Sequence, residues 1–163
     1  MVLEDLLQDG LNIVFCGTAA GTQSAKRKAY YAGLGNRFYP TLFACKITPR
    51  LLNSEEYSLL IEHKIGLTDL AKLAFGMDKA LKKNDFDTQQ FEEKIKKYNP
   101  KCVCFNGKQA AKIYLRKKKT SEITYGFQTE TIGKTKLYVA PSTSRAGNKY
   151  WDEKKWHDLL RIS

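Results

Sequence analysis

The sequence predicts an α/β fold: a single three-layer domain over residues 1–163, with a short, mostly parallel central sheet flanked by helices. Three observations lead there. The runs Leu11–Cys16, Cys102–Phe105 and 136–140 are short and apolar, as strands buried on both faces of a sheet are. Between them lie capped segments of helical periodicity, so strands and helices alternate. The first and last runs both end in small polar residues, Gly17-Thr-Ala-Ala-Gly21 and Pro141-Ser-Thr-Ser-Arg145. Parallel sheets place ligands at the carboxyl ends of their strands, so these two segments are expected to form the lips of one cleft.

Taken in order, residues 3–8 are expected to form a short helix stopped by Gly10, and 11–16 the first strand. The Gly17–Gly21 segment reads as a turn with free backbone N–H groups. A basic stretch from Thr22 to Lys28 leads to Ala29-Tyr-Tyr-Ala32 and Gly33-Leu-Gly35. Asn36 can cap a helix carrying Phe38, Leu42, Phe43 and Cys45, and Ser54 with Glu55 and Glu56 starts another through about His63. After Gly66-Leu-Thr-Asp-Leu70, the lysine-rich stretch of roughly 71–86 reads as a surface loop. Asp87 or Thr88 caps a helix with Phe91, Ile95 and Tyr98 on one face, ended by Pro100. Asn106-Gly-Lys-Gln109 is a strand-to-helix turn into Ala110, Ala111, Ile113, Tyr114 and Leu115. Tyr125 to Ile132 is expected to be extended, Gly133-Lys134 a turn, and Asp152 or a neighbour the start of a last helix with Trp156, Leu159 and Leu160.

Composition narrows the function classes. With 42% hydrophobic and 12% aromatic residues, the 163-residue chain has material for a real core and is not disordered. Its 28 Lys and Arg against 17 Asp and Glu favour a polyanionic partner, nucleic acid first. The four cysteines show no C-x-x-C pair and sit mostly in or beside apolar runs, as reduced thiols of a cytosolic protein do. No signal-peptide pattern or long apolar run is present, so neither secretion nor membrane insertion is expected. Neither G-x-G-x-x-G nor a phosphate-loop Gly-Lys-Ser/Thr occurs, and His63 and His157 stand alone, so no cofactor or metal is expected.

Six segments then fall in one order: Phe15-Cys-Gly-Thr-Ala-Ala-Gly21, Ser24-Ala25, Asn36-Arg-Phe-Tyr39, Gly66-Leu-Thr-Asp-Leu70, Gly107-Lys-Gln-Ala110 and Pro141-Ser142. Together they resemble the mismatch-specific uracil/thymine-DNA glycosylases of the uracil-DNA glycosylase superfamily, over nearly the whole chain. The resemblance implies a monofunctional, monomeric enzyme that flips a damaged base from DNA and hydrolyses its N-glycosidic bond, leaving an abasic site. It implies a base pocket of Gly17, Thr18, Ala19, Ala20 and Ser24, with Tyr31 as the stacking aromatic and Tyr30 beside it; core packing is the plainer role for both tyrosines.

One motif departs from the pattern. Where typical members carry Gly-x-Asn-Pro-Gly, with the Asn positioning the attacking water, this chain has Ala19 and Ala20. Asp69 is the candidate replacement: a carboxylate can accept a water proton and stabilise oxocarbenium character on the sugar. Its plainer role would be to cap a helix beginning near Leu70, and Thr68 is expected to orient the carboxylate or touch the base. The late loop stands where the family carries its DNA-penetrating segment, which assigns Ser142, Thr143, Ser144 and Arg145 to DNA, with Lys108 on a phosphate. The rival reading is a catalytically silent damaged-DNA-binding protein, since Ala19 cannot hold water.

Overall fold

The structure is a computed structural model that describes residues 2–76, 82 and 85–161. Five strands form one sheet: β1 (Ile13–Ala20), β2 (Ile65–Phe75), β3 (Cys102–Asn106), β4 (Gly126–Ile132) and β5 (Thr135–Ala140). Their order is β2-β1-β3-β5-β4, parallel throughout except for β4, which pairs antiparallel with β5 through the Gly133-Lys134 turn.

Alternation along the strands builds a core on each face. Ile13, Phe15, Leu67, Cys104 and Tyr138 point to one side, against Phe38 and Leu42 of α2 (Phe38–Ala44) and Trp156 and Leu159 of α5 (Glu153–Leu160). Val14, Cys16, Leu70, Val103, Phe105 and Val139 point to the other, against α3 (Thr88–Tyr98) and α4 (Lys108–Leu115). Both faces of the central strands are covered, which is why they read as continuous apolar runs. The helix starts follow the caps: the Asn36 side chain accepts from Phe38 N–H at 2.9 Å, Asp87 from Gln90 N–H at 2.9 Å and Asp152 from Lys154 N–H at 3.1 Å. Residues 54–63 wind as a 3-10 helix after Asn53.

Three expectations need correction. Residues 3–8 form no helix; the segment runs along the outer edge of β2, where Leu6 and Leu67 exchange two backbone hydrogen bonds of 2.9 Å each. An open sheet edge offers unpaired N–H and C=O groups, and covering it outweighs a weak local helix. The supposed loop after Leu70 is strand as far as Phe75, with the rest of that expectation partly on residues 77–81 and 83–84, outside the described ones. Gly17 to Ala20 are likewise strand rather than turn, with Gly17 opposite Asp69 and Ala19 opposite Ala71.

Candidate active site

A cavity of about 710 Å³ opens at the carboxyl ends of β1, β3 and β5. The register of β1 with β3 stops at Cys16 opposite Phe105, because β3 ends at Asn106 and turns into α4. From Gly17 onward β1 pairs with β2 alone, and its other edge faces the cavity. The short helix α1 (Thr22–Arg27) leads away from the end of β1, and the Pro141–Arg145 segment closes the opposite side. The two lips read from the sequence therefore do meet across one space.

Asp69 lies on the wall of this cavity and is only 5% exposed. It comes from the middle of β2, so it caps no helix. A Cβ added to Gly17 would lie 2.9 Å from its Oδ1, so only glycine lets the first motif approach this carboxylate so closely. Burial, opposed by the nearby Lys72 ammonium, lifts the Asp69 carboxyl to about 6, while the Gly17 backbone hydrogen bond favours its charged form. No ion pair to Asp69 occurs among the described residues. A buried carboxyl with its proton equilibrium close to neutrality, facing a cavity, is suited to accept a proton from water.

Around it the cavity is aromatic and polar. Tyr31 stacks on Phe38, ring centroids 4.1 Å apart, and holds a left-handed backbone with φ of 56°. That conformation costs an ordinary residue about 1 kcal/mol, and Ser24 secures it by accepting the Ala32 N–H at 3.0 Å. The Tyr31 hydroxyl oxygen is buried beside the Asn106 amide, with no hydrogen bond of good geometry among the described residues. On the far side, Asn106 Oδ1 accepts the Thr143 N–H at 2.9 Å and Asn106 Nδ2 donates to Thr143 Oγ1 at 3.0 Å, latching the late loop to the end of β3. Trp156 Nε1 donates to Pro141 O at 2.9 Å and fixes where that loop begins. Gly107 has φ of 107°, and a Cβ there would lie 3.2 Å from Ser142 Cβ, so the β3–α4 turn presents bare backbone to the Ser142 side chain of the late loop.

A sequence profile of the uracil DNA glycosylase superfamily matches residues 4–161. The chain belongs to that superfamily. Its fold is similar to that of a proposed uracil DNA glycosylase from Methanosarcina acetivorans solved by solution NMR, with a TM-score of 0.65 over 98% of this chain and 94% of that one, at 19% identity.

Within this superfamily fold the residues picked from the sequence separate clearly. Gly17, Thr18, Ala19, Ala20, Ser24, Tyr31 and Asp69 line the cavity, as do Lys108, Ser142, Thr143, Ser144 and Arg145. Thr68 does not: it points to the opposite face of β2, fully buried, and donates to Asp5 Oδ1 at 2.6 Å. Strand alternation forces this, since neighbours on β2 cannot both face the cavity. Thr143 is no exposed wedge either; it is 1% exposed and held by Asn106, leaving Ser144 and the exposed Arg145 at the rim. Lys108 lies over the Tyr125 ring, its Nζ 4.6 Å from the centroid, at the first turn of α4. Asn106 is the wall residue that sequence reasoning passed over as a mere turn residue. A polar amide closing an otherwise apolar strand was the available signal. Among the described residues, no three His, Cys, Asp or Glu side chains gather as metal ligands would, and no helix is long and apolar enough to cross a membrane.

Proposed function

We propose that this chain is a monofunctional DNA glycosylase that excises uracil, with Asp69 as its catalytic carboxylate. The observation that carries the reading is the placement of Asp69, buried on the cavity wall opposite Gly17 and free of any ion pair among the described residues. Superfamily membership and the charge of +11 support DNA as the substrate.

In this reading the base leaves the duplex and enters the cavity, where it stacks on Tyr31 beside the cavity-facing edge of Gly17–Ala20. The bond between the sugar carbon and the base nitrogen breaks, and its electron pair leaves with the base. Asp69 carboxylate offsets the positive charge that develops on the sugar and takes a proton from water as the water oxygen bonds to that carbon. The products are free base and an abasic site. Asp69 thereby takes over the water-activating task that Ala19, with no polar side chain, cannot perform. Arg145 and Ser144 at the rim, with Lys108 on the wall, hold the DNA and fill the space the base vacates, opposite a mismatched partner.

The test is a labelled oligonucleotide holding one uracil opposite G, opposite A or single-stranded. Wild-type protein should yield strand breaks only after alkali, and Asp69→Asn should yield essentially none. Spontaneous strand breaks, or full activity in the variant, would remove the monofunctional mechanism or the role of Asp69 respectively. DNA binding without base release in every context would favour the silent binder.

A further inference from the structure

The cavity mouth holds an apolar side chain that the folded protein does not use. Leu34 is 82% exposed, yet it lines the cavity at the tip of the Gly33-Leu-Gly35 turn. Scattered apolar residues are ordinary on a surface, but this one sits on a braced support. Asn36 N–H closes the turn on Gly33 O at 3.2 Å, Ala32 N–H donates to Ser24 Oγ at 3.0 Å, and Arg27 Nη1 donates to Ala32 O at 3.3 Å. The turn is also tied to the opposite lip. Arg37 N–H donates to Thr143 O at 2.9 Å, and the Arg145 stem lies over Gly35, its Cδ 3.4 Å from where a Cβ would stand. The two lips thus bring one exposed leucine and one exposed guanidinium to the same rim.

We infer that Leu34 is a DNA wedge, inserting its side chain into the base stack beside the extruded nucleotide while Arg145 holds the phosphate or the unpaired base opposite. The inference rests on the glycosylase reading for its substrate and adds to it a contact from the early lip. Apolar side chains that enter a stack unstack a base step and bend the duplex, and they must be exposed and rigidly mounted to do so. Leu34 meets both conditions. The late loop offers no large exposed apolar side chain for the task, since Pro141 and Thr143 are buried and Ser142 and Ser144 are small and polar.

The test uses a uracil duplex with 2-aminopurine next to the uracil, whose fluorescence rises when it unstacks, compared with the same uracil strand alone. Leu34 is 82% exposed and packs in neither core, so Leu34→Ala should fold as the wild type does. Wild-type protein should brighten the duplex on binding, and Leu34→Ala should lose at least threefold of that rise. The ratio of duplex to single-strand excision should fall at least tenfold in Leu34→Ala, return in Leu34→Met, and stay unchanged in Leu51→Ala, an exposed leucine away from the cavity. Wild-type brightening and excision ratio in Leu34→Ala would overturn the wedge while leaving the glycosylase standing. If the wild type releases no base from any substrate, the glycosylase reading fails, and the fluorescence of the bound duplex still decides the wedge. A wild type that neither binds nor brightens uracil DNA overturns both.

Discussion

Two carboxylates, Asp5 half-buried and Asp69 buried, flank the same stretch of β2 and stand in opposite environments. Asp5, on the outer edge, accepts from Lys94 at 2.7 Å, Lys72 at 3.0 Å and Thr68 at 2.6 Å. Those partners outweigh its burial and hold its carboxyl below the usual carboxylate range. Asp69, on the cavity side, has the Gly17 backbone hydrogen bond and the more distant fields of Lys72, Asp5 and Lys94 but no ion pair among the described residues, and its burial pushes it up to about 6. Burial alone therefore does not mark a chemical group; burial without a paired cation, facing a cavity, does. Asp5 joins the N-terminal segment to the sheet, and Asp69 is left without an ion pair among the described residues, as the proposed catalytic carboxylate should be.

The sharpest way to break this contrast is to neutralise each carboxylate in turn. Asp69→Asn should lower single-turnover uracil excision by about a thousandfold, within the usual span of a general base, while circular dichroism shows a folded protein. Asp5→Ala should do the reverse. It strands Lys72 and Lys94 in a buried site and should cost about 3 kcal/mol in urea unfolding, with excision by the surviving folded fraction largely kept.

A third prediction concerns the opposite signs of the two proton equilibria. Asp69 binds its proton more tightly when folded, so its share of stability is present at low pH and is lost as pH rises through about 6. Relative to the unperturbed 3.8, this amounts to about 3 kcal/mol, and Asp69→Asn should unfold at higher urea than wild type at pH 7. Asp5 binds its proton less tightly when folded, so its share is present above the normal carboxylate range and is lost as pH falls. From pH 4 to 7 the Asp69→Asn curve should therefore rise progressively above wild type, while the Asp5→Ala deficit should hold steady there and shrink only below about pH 4.

The smallest effect belongs to Tyr31. Tyr31→Ala removes a stacking face and should slow excision by roughly ten- to a hundredfold. Tyr31→Phe removes only a hydroxyl with no well-formed hydrogen bond among the described residues and should change stability by less than about 1 kcal/mol and excision by under tenfold.

How much of this was legible in the sequence follows the same division. The central strands β1, β3 and β5 announce themselves because both faces are buried, and α2, α3 and α5 because Asn36, Asp87 and Asp152 supply their caps. The late half of β2 hides because Lys72 is polar; the Asp5 pair, made by a segment 67 residues earlier in sequence, and the Tyr30 hydroxyl, which accepts from Nζ at 3.1 Å, allow a lysine inside a strand. That same segment read as a helix because its unpaired strand partner cannot be seen locally. The cavity residues were found as types and in order, but direction was not. Period-two alternation separates Thr68 from Asp69 only once the stretch is known to be strand. Asn106 and Leu34 escaped because their significance lies in what stands across the cavity: Thr143 for the one, Arg145 for the other.

The most direct test of the central claim is the single-turnover excision rate on uracil DNA between pH 5 and 8, for wild type and Asp69→Asn side by side. Ionised Asp69 as the base predicts a wild-type rate that climbs about tenfold per pH unit below roughly 6 and levels above it, with the variant flat and about a thousandfold slower. A variant that keeps both the wild-type rate and the acid limb would contradict the assignment of Asp69 and send the search back to the cavity wall.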